Sequence, residues 1–356
     1  MRRIVLKLHL VVALVAGAFL AVLGGTGAIM AFEPELDHLL HRPLWRVTRA
    51  AQTATLTLAE LGEAASKTQE GQRPTGFLLS TEPDLAYQVL FRGRSVFVDQ
   101  YRGAVLGTRA SGPDLLSRVH QLHLRLLIQT ESDTGKTIVK WAAVAMVLLL
   151  ASGLYLWWPA GRVTVRSPRG TRRWWFDLHN AVGIWSLVFI GMATVTGLAI
   201  GFDEQFVSWV YAATRSMPAV MYARPPRFTA VPSGPPIGPD RAVAIARAAL
   251  PGASPISLQI PLPTGVYAIS ARYPEDLTPG GRSRIYIDQY SGAVLIAEGS
   301  RTAPAGSRMI TLNRALHTGD VFGMASKIVM SIASLAVVMQ LVSGLVMWLR
   351  KPDAGR

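Results

Sequence analysis

The sequence contains no cysteine among its 356 residues. This absence excludes disulfide bonds, zinc sites and iron–sulfur clusters held by thiolates, and haem attached covalently through a C-x-x-C-H motif. Common enzyme signatures are missing as well: we find no G-x-S-x-G, H-E-x-x-H, Walker or dinucleotide-binding motif. Any redox cofactor must therefore be held by other side chains, and its electrons must come from a separate donor.

Acidic residues are scarce, with 22 Asp and Glu against 36 Lys and Arg and a formal net charge of +14. Such a balance can indicate nucleic-acid binding, but no basic stripe with interleaved aromatic residues occurs. The basic residues are concentrated beside long apolar runs instead. We therefore predict basic loops at a membrane surface and no nucleic-acid partner.

Half of the residues are hydrophobic. Four mostly apolar windows of about twenty residues are each long enough to cross a hydrocarbon core about 30 Å thick. The first window has the basic start of a signal peptide in Arg2 and Arg3, but its apolar run is too long and it lacks a small-x-small exit. We therefore predict four uncleaved transmembrane helices. They lie at 8–32, 138–158, 180–201 and 325–349.

The short segments predict the orientation of these helices, because cytoplasmic loops carry an excess of Lys and Arg. Residues 1–7 include three basic residues, 159–173 include five arginines and no acidic residue, and 350–356 include three basic residues. We predict that these three segments are cytoplasmic. The long segments, 33–137 and 202–324, are then expected to face outward.

A decapeptide occurs twice in the chain. FVDQYRGAVL spans residues 97–106 and YIDQYSGAVL spans 286–295, with seven identical positions and an offset of 286 − 97 = 189. Each copy alternates in strand fashion and contains a glycine suited to a tight turn, Gly103 or Gly292, which predicts a β-hairpin. In the second copy's segment we also predict a helix at 239–250, strands near 255–262, 266–273 and 284–289, and a Pro-rich linker at 223–239.

The repeat extends into the apolar helices. Placing His9 on His179 also places the Thr-Gly pair 26–27 on the Thr-Gly pair 196–197, because 26 − 9 = 196 − 179 = 17. The second and fourth helices both end in S-G-L-x-x-W. We predict a tandem duplication in which each half is helix, outward α+β module and helix, with the halves related by a pseudo-twofold axis along the membrane normal.

This fold class gives the following predicted boundaries: transmembrane helix 1 at 1–32, module 1 at 33–137, helix 2 at 138–158, cytoplasmic connection at 159–179, helix 3 at 180–201, module 2 at 202–324, helix 4 at 325–349 and cytoplasmic tail at 350–356.

Equivalent histidines suggest a cofactor. A single histidine near a membrane interface is most often a polar cap, but His9 and His179 are equivalent under the duplication, and a twofold axis makes them face each other. Two facing imidazoles can supply both axial ligands of one haem iron. We therefore predict a haem between them near the cytoplasmic side.

A second pair lies before the second and fourth helices. The distance to the shared S-G-L glycine is 153 − 123 = 30 residues from His123 and 344 − 317 = 27 from His317. The difference of three fits in the turn at 131–136. His120, one helical turn from His123, competes for the same role.

Gly27 and Gly197 follow His9 and His179 by 18 residues, about five helical turns. They would serve either to admit a flat macrocycle or to let helices pack closely. His38 and His41 have no partner in the second half, and we predict that they are surface residues.

Taken together, the motifs resemble the PepSY-associated transmembrane proteins, which include bacterial inner-membrane ferrisiderophore reductases described as iron-regulated membrane proteins. The matching segments follow the family's order over nearly the whole chain, and D-x-Y-x-G-x-V-L corresponds to the PepSY hairpin. They are KLHLVVALVAG…TGAIMAFE, VFVDQYRGAVLG, LHLRLLIQ, GLYLWWP, RRWWFDLHNAVGIW…TGLAIGFD, IYIDQYSGAVL and LHTGDVFG…SGLVMWLRKP.

The resemblance implies two periplasmic PepSY-like modules and two b-type haems in a lipid-embedded four-helix protein of the bacterial inner membrane. It implies electron transfer from an unidentified cytoplasmic-side donor to a ferric siderophore in the periplasm, with release of Fe(II). Carried over by motif, the ligands of the inner haem fall on His9 and His179. Those of the outer haem fall on His123 and His317.

Two other functions compete with this ferric-chelate reductase. The duplicated modules are compatible with a non-catalytic sensor or accessory protein that binds a periplasmic partner, in which the histidines would be structural. Parallel repeats also occur in permeases, but the sequence has no pair of broken helices with a polar site at the membrane midplane. We expect the reductase.

Overall fold

The computed structural model describes residues 1–48, 54–158, 161, 163–166, 168–219, 228 and 230–350. The helices are α1 (Arg2–Met30), α2 (Glu33–Leu40), α3 (Arg42–Trp45), α4 (Leu58–Lys67), α5 (Leu115–Arg125), α6 (Thr134–Trp157), α7 (Arg172–Gly201), α8 (Asp203–Thr214), α9 (Pro239–Ala249), α10 (Ala305–Thr318) and α11 (Met324–Leu349), with a 3-10 turn at Ser300–Thr302. The strands are β1 (Gly76–Leu78), β2 (Tyr87–Phe91), β3 (Arg94–Val98), β4 (Val105–Ala110), β5 (Ser254–Gln259), β6 (Val266–Arg272), β7 (Ser283–Asp288) and β8 (Val294–Glu298).

The chain forms two compact units, a helical unit and a sheet unit. The helical unit comprises residues 1–33, 113–206 and 312–356, and the sheet unit comprises 34–112 and 207–311. The helical unit thus includes 113–137 and 312–324, which the predicted boundaries assign to the outward modules. The physical reason in the first half is that α5 packs against α1 and α6.

Four helices are long and apolar enough to cross a membrane, namely α1, α6, α7 and α11. They include the four predicted windows almost entirely. α7 begins at Arg172, eight residues before the predicted start at 180, because the Thr171 hydroxyl accepts a hydrogen bond from the Trp174 N–H at 3.1 Å and caps the helix. His179 therefore lies inside α7, and the predicted connection at 159–179 is shorter. Its Arg162, and the tail from residue 351, lie outside the described residues.

Within the helical unit, α1 and α7 face each other across a bundle. Each of them packs mainly against α6 and α11. Two equivalent arginines join these helices at one end: Arg2 Nη2 donates to the Leu156 carbonyl at 2.9 Å, and Arg172 Nε donates to the Met347 carbonyl at 3.1 Å. A cation at the carboxyl end of a helix satisfies carbonyls that have no partner within the helix.

The turns that precede α6 and α11 differ in length by the predicted amount. Residues 126–133 separate α5 from α6, and residues 319–323 separate α10 from α11, which gives 8 − 5 = 3 extra residues in the first half. Leu126 adopts a left-handed conformation at the end of α5. The longer turn thus absorbs the difference in spacing between His123 and His317.

The sheet unit contains one eight-stranded antiparallel sheet with the order β4-β3-β2-β1-β5-β6-β7-β8. Each segment contributes a helix followed by a four-stranded meander, and the two meanders join where β1 pairs with β5, with Phe77 opposite Leu258. Gly76 permits this joint, since a Cβ there would lie 2.6 Å from the Leu258 carbonyl oxygen. Both segments thus contain one helix, α4 or α9, directly followed by four strands.

One apolar core crosses the joint. Phe77 and Leu61 from the first segment and Leu258, Ile269 and Ile285 from the second are among its buried members. Helices α4 and α9 supply the remaining cover. The linker predicted at 223–239 lies mostly outside the described residues.

The repeated decapeptide forms the β3–β4 and β7–β8 hairpins, each with a bulge at the same position. The carboxylate of Asp99 accepts the N–H groups of Tyr101 and Arg102 at 2.8 and 3.2 Å, and Gly103 has φ +70°. Asp288 and Gly292 repeat this turn in the second hairpin. The invariant residues of the decapeptide therefore build the turn.

Candidate functional site

His9 lies in α1 and contacts the Ser-Gly pair of α6. Its Nδ1 is 2.8 Å from the Ser152 hydroxyl, which donates its own proton to the Leu148 carbonyl at 2.5 Å. The hydroxyl oxygen is then free to accept, so Nδ1 carries the ring proton and Nε2 keeps its lone pair. A Cβ on Gly153 would lie 3.5 Å from His9 Cε1, so the glycine keeps space beside the ring.

His179 repeats this arrangement from α7. Its Nδ1 is 2.9 Å from the Ser343 hydroxyl, which donates to the Met339 carbonyl at 2.7 Å. Gly344 follows Ser343 as Gly153 follows Ser152. Both histidines of the first pair therefore have Nε2 available as a ligand atom.

The first pair lines one cavity between α1 and α7. The cavity has about 870 Å³ of empty space, a figure that includes its open mouth. Its walls are mainly apolar and come from equivalent positions of the two halves, such as Leu20 with Ile190 and Leu150 with Leu341. An apolar lining with two imidazoles in it fits the chemistry of a porphyrin with axial histidines.

Gln340 breaks the symmetry of this cavity. It lines the wall where the first half has Leu149, and its Nε2 donates to the backbone carbonyl of His179 at 2.9 Å. This hydrogen bond holds α11 against the turn of α7 that carries the histidine.

His123 lies on α5, and its Nδ1 is 3.0 Å from the Thr26 hydroxyl. That hydroxyl donates to the Val22 carbonyl at 2.7 Å, so it accepts from the ring. Burial, and then the nearby charge of His317, lower the pKa of His123 to about 4. At neutral pH the imidazole is therefore uncharged, the form that binds metals.

His317 lies on α10 and gives the clearest assignment of the ring proton. Its Nδ1 is 3.1 Å from both the Thr196 hydroxyl and the Ala193 carbonyl oxygen. A carbonyl can accept but not donate, so Nδ1 must carry the proton and Nε2 is free. Burial lowers the pKa of His317 as well, and the nearby charge of Arg314 adds to this shift.

His123 and His317 face each other. Their ring centroids are 6.4 Å apart, and the ring planes meet at 57°. A metal ion bound by two imidazole nitrogens at about 2 Å each would place the centroids roughly 6 Å apart. The spacing fits two axial ligands on one iron. The described residues include no group of three or more His, Asp or Glu side chains placed to hold a metal ion.

Gly27 and Gly197 lie directly against this second pair. A Cβ on Gly27 would be 3.3 Å from His123 Cε1, and a Cβ on Gly197 would be 3.0 Å from His317 Cε1. The two glycines thus give clearance to the ligand rings. The sequence suggested space for a macrocycle or close helix packing, and neither describes this contact.

The other histidines have different partners. His120 Nδ1 is 2.8 Å from a carboxylate oxygen of Glu33, and the structure brings His123 rather than His120 opposite His317. His41 Nδ1 is 2.8 Å from Asp37, and His38 lies against Trp45 with a centroid distance of 4.4 Å. His38 and His41 are half-buried in this local cluster and are far in sequence from both pairs.

Sequence reasoning missed the hydroxyl partners of the histidines. Ser152 and Ser343 stand in the shared S-G-L segments, and Thr26 and Thr196 stand in the shared Thr-Gly pairs. Their repetition in both halves was the available signal. Only the structure connects each hydroxyl to a ring, because the partners are about 100 or more residues apart.

The sequence model of the PepSY-associated TM region matches residues 6–351. The match spans nearly the whole chain and includes both histidine pairs. Comparison with curated proteins gives no match. Together with the four apolar helices, the family match identifies a membrane protein.

Proposed function

The chain belongs to the PepSY-associated TM region family, and we propose that it is a bacterial inner-membrane oxidoreductase that holds two b-type haems and reduces a ferric siderophore. The observation that carries this proposal is a pair of imidazoles at each end of one bundle, sharing a cavity at one end and facing each other at the other, each with Nδ1 hydrogen-bonded to a hydroxyl. His9 and His179 would hold the first haem, and His123 and His317 would hold the second. Haem bound by two imidazoles supplies one-electron transfer.

The spacing of the two pairs supports transmembrane electron transfer. His9 and Thr26, the partner of His123, are 26 − 9 = 17 residues apart in α1, which corresponds to about 25 Å along the helix. This is most of the hydrocarbon thickness of a membrane, about 30 Å. A haem held by each pair would thus lie near one membrane face.

The proposed direction of electron transfer follows from the positions of the basic segments. The cytoplasmic assignment of both termini and of the connection before α7 places the first pair on the cytoplasmic side and the second on the periplasmic side. An unidentified donor would deliver electrons to the first pair. The equivalent contacts in the two halves support their origin by tandem duplication, with the two segments of the sheet unit as periplasmic PepSY-like modules.

The proposed substrate is a ferric chelate in the periplasm. Fe(III) is held tightly by the hard oxygen donors of siderophores, whereas Fe(II) is held more weakly, so a one-electron reduction releases the metal. The chain's own contribution is to hold four imidazoles in mainly apolar surroundings, each with its Nδ1 hydrogen-bonded and its Nε2 available. Lipid around the apolar helices completes this environment.

The test is a reoxidation experiment on the detergent-purified, dithionite-reduced protein. After removal of excess dithionite, addition of a ferric hydroxamate siderophore should reoxidise the protein while ferrozine traps Fe(II); the metal-free siderophore is the control. His123→Ala should abolish the reaction, and His120→Ala should leave it unchanged. A haem-loaded protein that stays reduced with the ferric chelate would contradict the proposed substrate. A protein that binds no haem would favour a binding function of the modules.

A further inference from the structure

A buried ion pair joins the loop that follows His317 to the start of α11. Lys327, in the first turn of α11, has its Nζ 3.8 Å from Asp320 Oδ1, and the two side chains are 8% and 13% exposed. Charged groups at this depth are costly to bury, and retaining them usually reflects a function. The proposed function has so far given this pair no role.

The ion pair is connected to His317 through a short loop. Asp320 follows His317 by three residues, and its second oxygen accepts the Thr318 hydroxyl at 2.6 Å. A Cβ on Gly319 would lie 3.1 Å from the Lys327 Cα, so the backbone of α11 contacts the loop two residues after the histidine. These contacts thus fix the ion pair to the loop that begins directly after the histidine-bearing end of α10.

The first half of the chain has no buried ion pair at the equivalent position. Lys136 occupies the position of Lys327, because 344 − 327 = 153 − 136 = 17, but its side chain is 48% exposed and pairs with the equally exposed Asp133. Solvent screens such a pair strongly. The residues that line the cavity of the first pair include no Lys, Arg, Asp or Glu. Near the first pair, the buried carboxylate of Asp177, two residues before His179, pairs with Arg173, whose side chain is 49% exposed. An ion pair with both partners almost fully buried therefore distinguishes the second site from the first.

Resting on the proposed function, we propose that Lys327 and Asp320 are positioning residues that set the reduction potential of the second haem. Reduction adds one negative charge at the iron, and poorly screened charges act strongly on that step. The ammonium of Lys327 stabilises the reduced state and raises the potential. The carboxylate of Asp320 opposes it and keeps the ammonium charged and in place.

The experiment is a potentiometric titration followed by absorbance, in the His9→Ala background so that the second haem titrates alone. Lys327→Gln should lower its midpoint potential and Asp320→Asn should raise it. The double variant should return toward the parent value. Lys136→Gln is the matched control and should leave the potential unchanged.

Opposite shifts are the signature of electrostatics, because a merely structural role would move both variants in the same direction through a loosened loop. Equal shifts of one sign, or no shift in either variant, would overturn the inference. If one single variant fails to accumulate, the other single variant still decides, because its shift from the parent value should have the stated sign and should be cancelled in the double variant. Absence of haem from the parent protein would instead count against the proposed function, and it is measured before the titration begins.

Discussion

The two histidine pairs present the same chemistry on different elements. The first pair comes from the long helices α1 and α7, and its hydroxyl partners come from α6 and α11. The second pair comes from the shorter helices α5 and α10, and here α1 and α7 supply the hydroxyls. Each of the long helices α1 and α7 thus carries a histidine of the first pair near one end and a hydroxyl partner of the second pair near the other. The two pairs therefore share one local arrangement: each histidine contacts a Ser or Thr hydroxyl through Nδ1 and also the glycine that follows that Ser or Thr.

The glycine of this arrangement gives the largest expected effect. Gly197→Val would place a Cβ at 3.0 Å from His317 Cε1, too close for the ring to stay. We expect the haem-to-protein ratio to fall from about two to about one. Gly344→Ala is the matched control at the first pair, where the added Cβ would be 3.8 Å from His179 and both haems should remain. Retention of both haems in Gly197→Val would contradict the clearance role.

Loss of a hydroxyl partner should have the next largest effect on haem binding, and the two histidine pairs should respond differently to it. Ser343→Ala removes the hydroxyl partner of His179 and should weaken haem retention at the first site by about 10–100-fold, as is typical when a metal-binding histidine loses its hydrogen-bond partner. Thr196→Val should have a smaller effect, because His317 Nδ1 also donates to the Ala193 carbonyl. Competition for haem by apomyoglobin measures both. An equal loss in the two variants would show that the carbonyl does not substitute for the hydroxyl.

The repeat in the sequence was sufficient to find the four histidines but not to explain the residues around them. Pairing His9 with His179 needed only an alignment of two helices. Choosing His123 over His120 needed the structure, because both residues lie on α5 and only the packing of α5 on α1 decides which ring meets Thr26. The early start of α7 depends on a single cap at Thr171, which the apolar window does not include.

Pairing between strands far apart in the chain could not be predicted from the sequence for the same reason. The hairpins at Gly103 and Gly292 are local and were predicted with nearly correct bounds, as were α9 and β5 to β7. The joint between β1 and β5 connects residues about 180 apart, and no local pattern encodes it. The burial of Lys327 is equally non-local, since Lys136 occupies the same position of the repeat and is half exposed.

The sheet unit and the helical unit can also be compared, through a substitution that should affect the stability of the sheet unit alone and by a smaller amount. Asp240 in α9 accepts the N–H groups of Leu58 and Ala59 at 2.6 and 3.0 Å and so caps α4 across the joint. Asp240→Ala should lower the stability of the sheet unit by about 1–2 kcal/mol, the usual value of a helix cap, while haem content stays unchanged. Thermal melts followed by infrared β-sheet bands test this. Glu63→Ala, which removes an exposed ion pair, should change little.

The smallest expected effect concerns the ends of the long helices. Arg2→Ala and Arg172→Ala each remove one hydrogen bond to a terminal carbonyl and should lower stability by about 0.3–1 kcal/mol. Because their contacts are equivalent, the two losses should be similar. Arg3→Ala controls for the loss of charge alone. Unfolding of the detergent-purified variants with increasing dodecyl sulfate gives the comparison, and a large difference between the two arginines would break the equivalence of the halves at this end.

The most direct test of the account is the absorption spectrum of the purified protein, oxidised and then dithionite-reduced, with the haem-to-protein ratio. We predict a sharp reduced α-band and about two haems per chain, with one haem lost in His9→Ala, the other lost in His317→Ala, and both kept in His120→Ala. A protein that stays colourless after haem is supplied would contradict the account, and so would one that keeps both haems without His9 and His317.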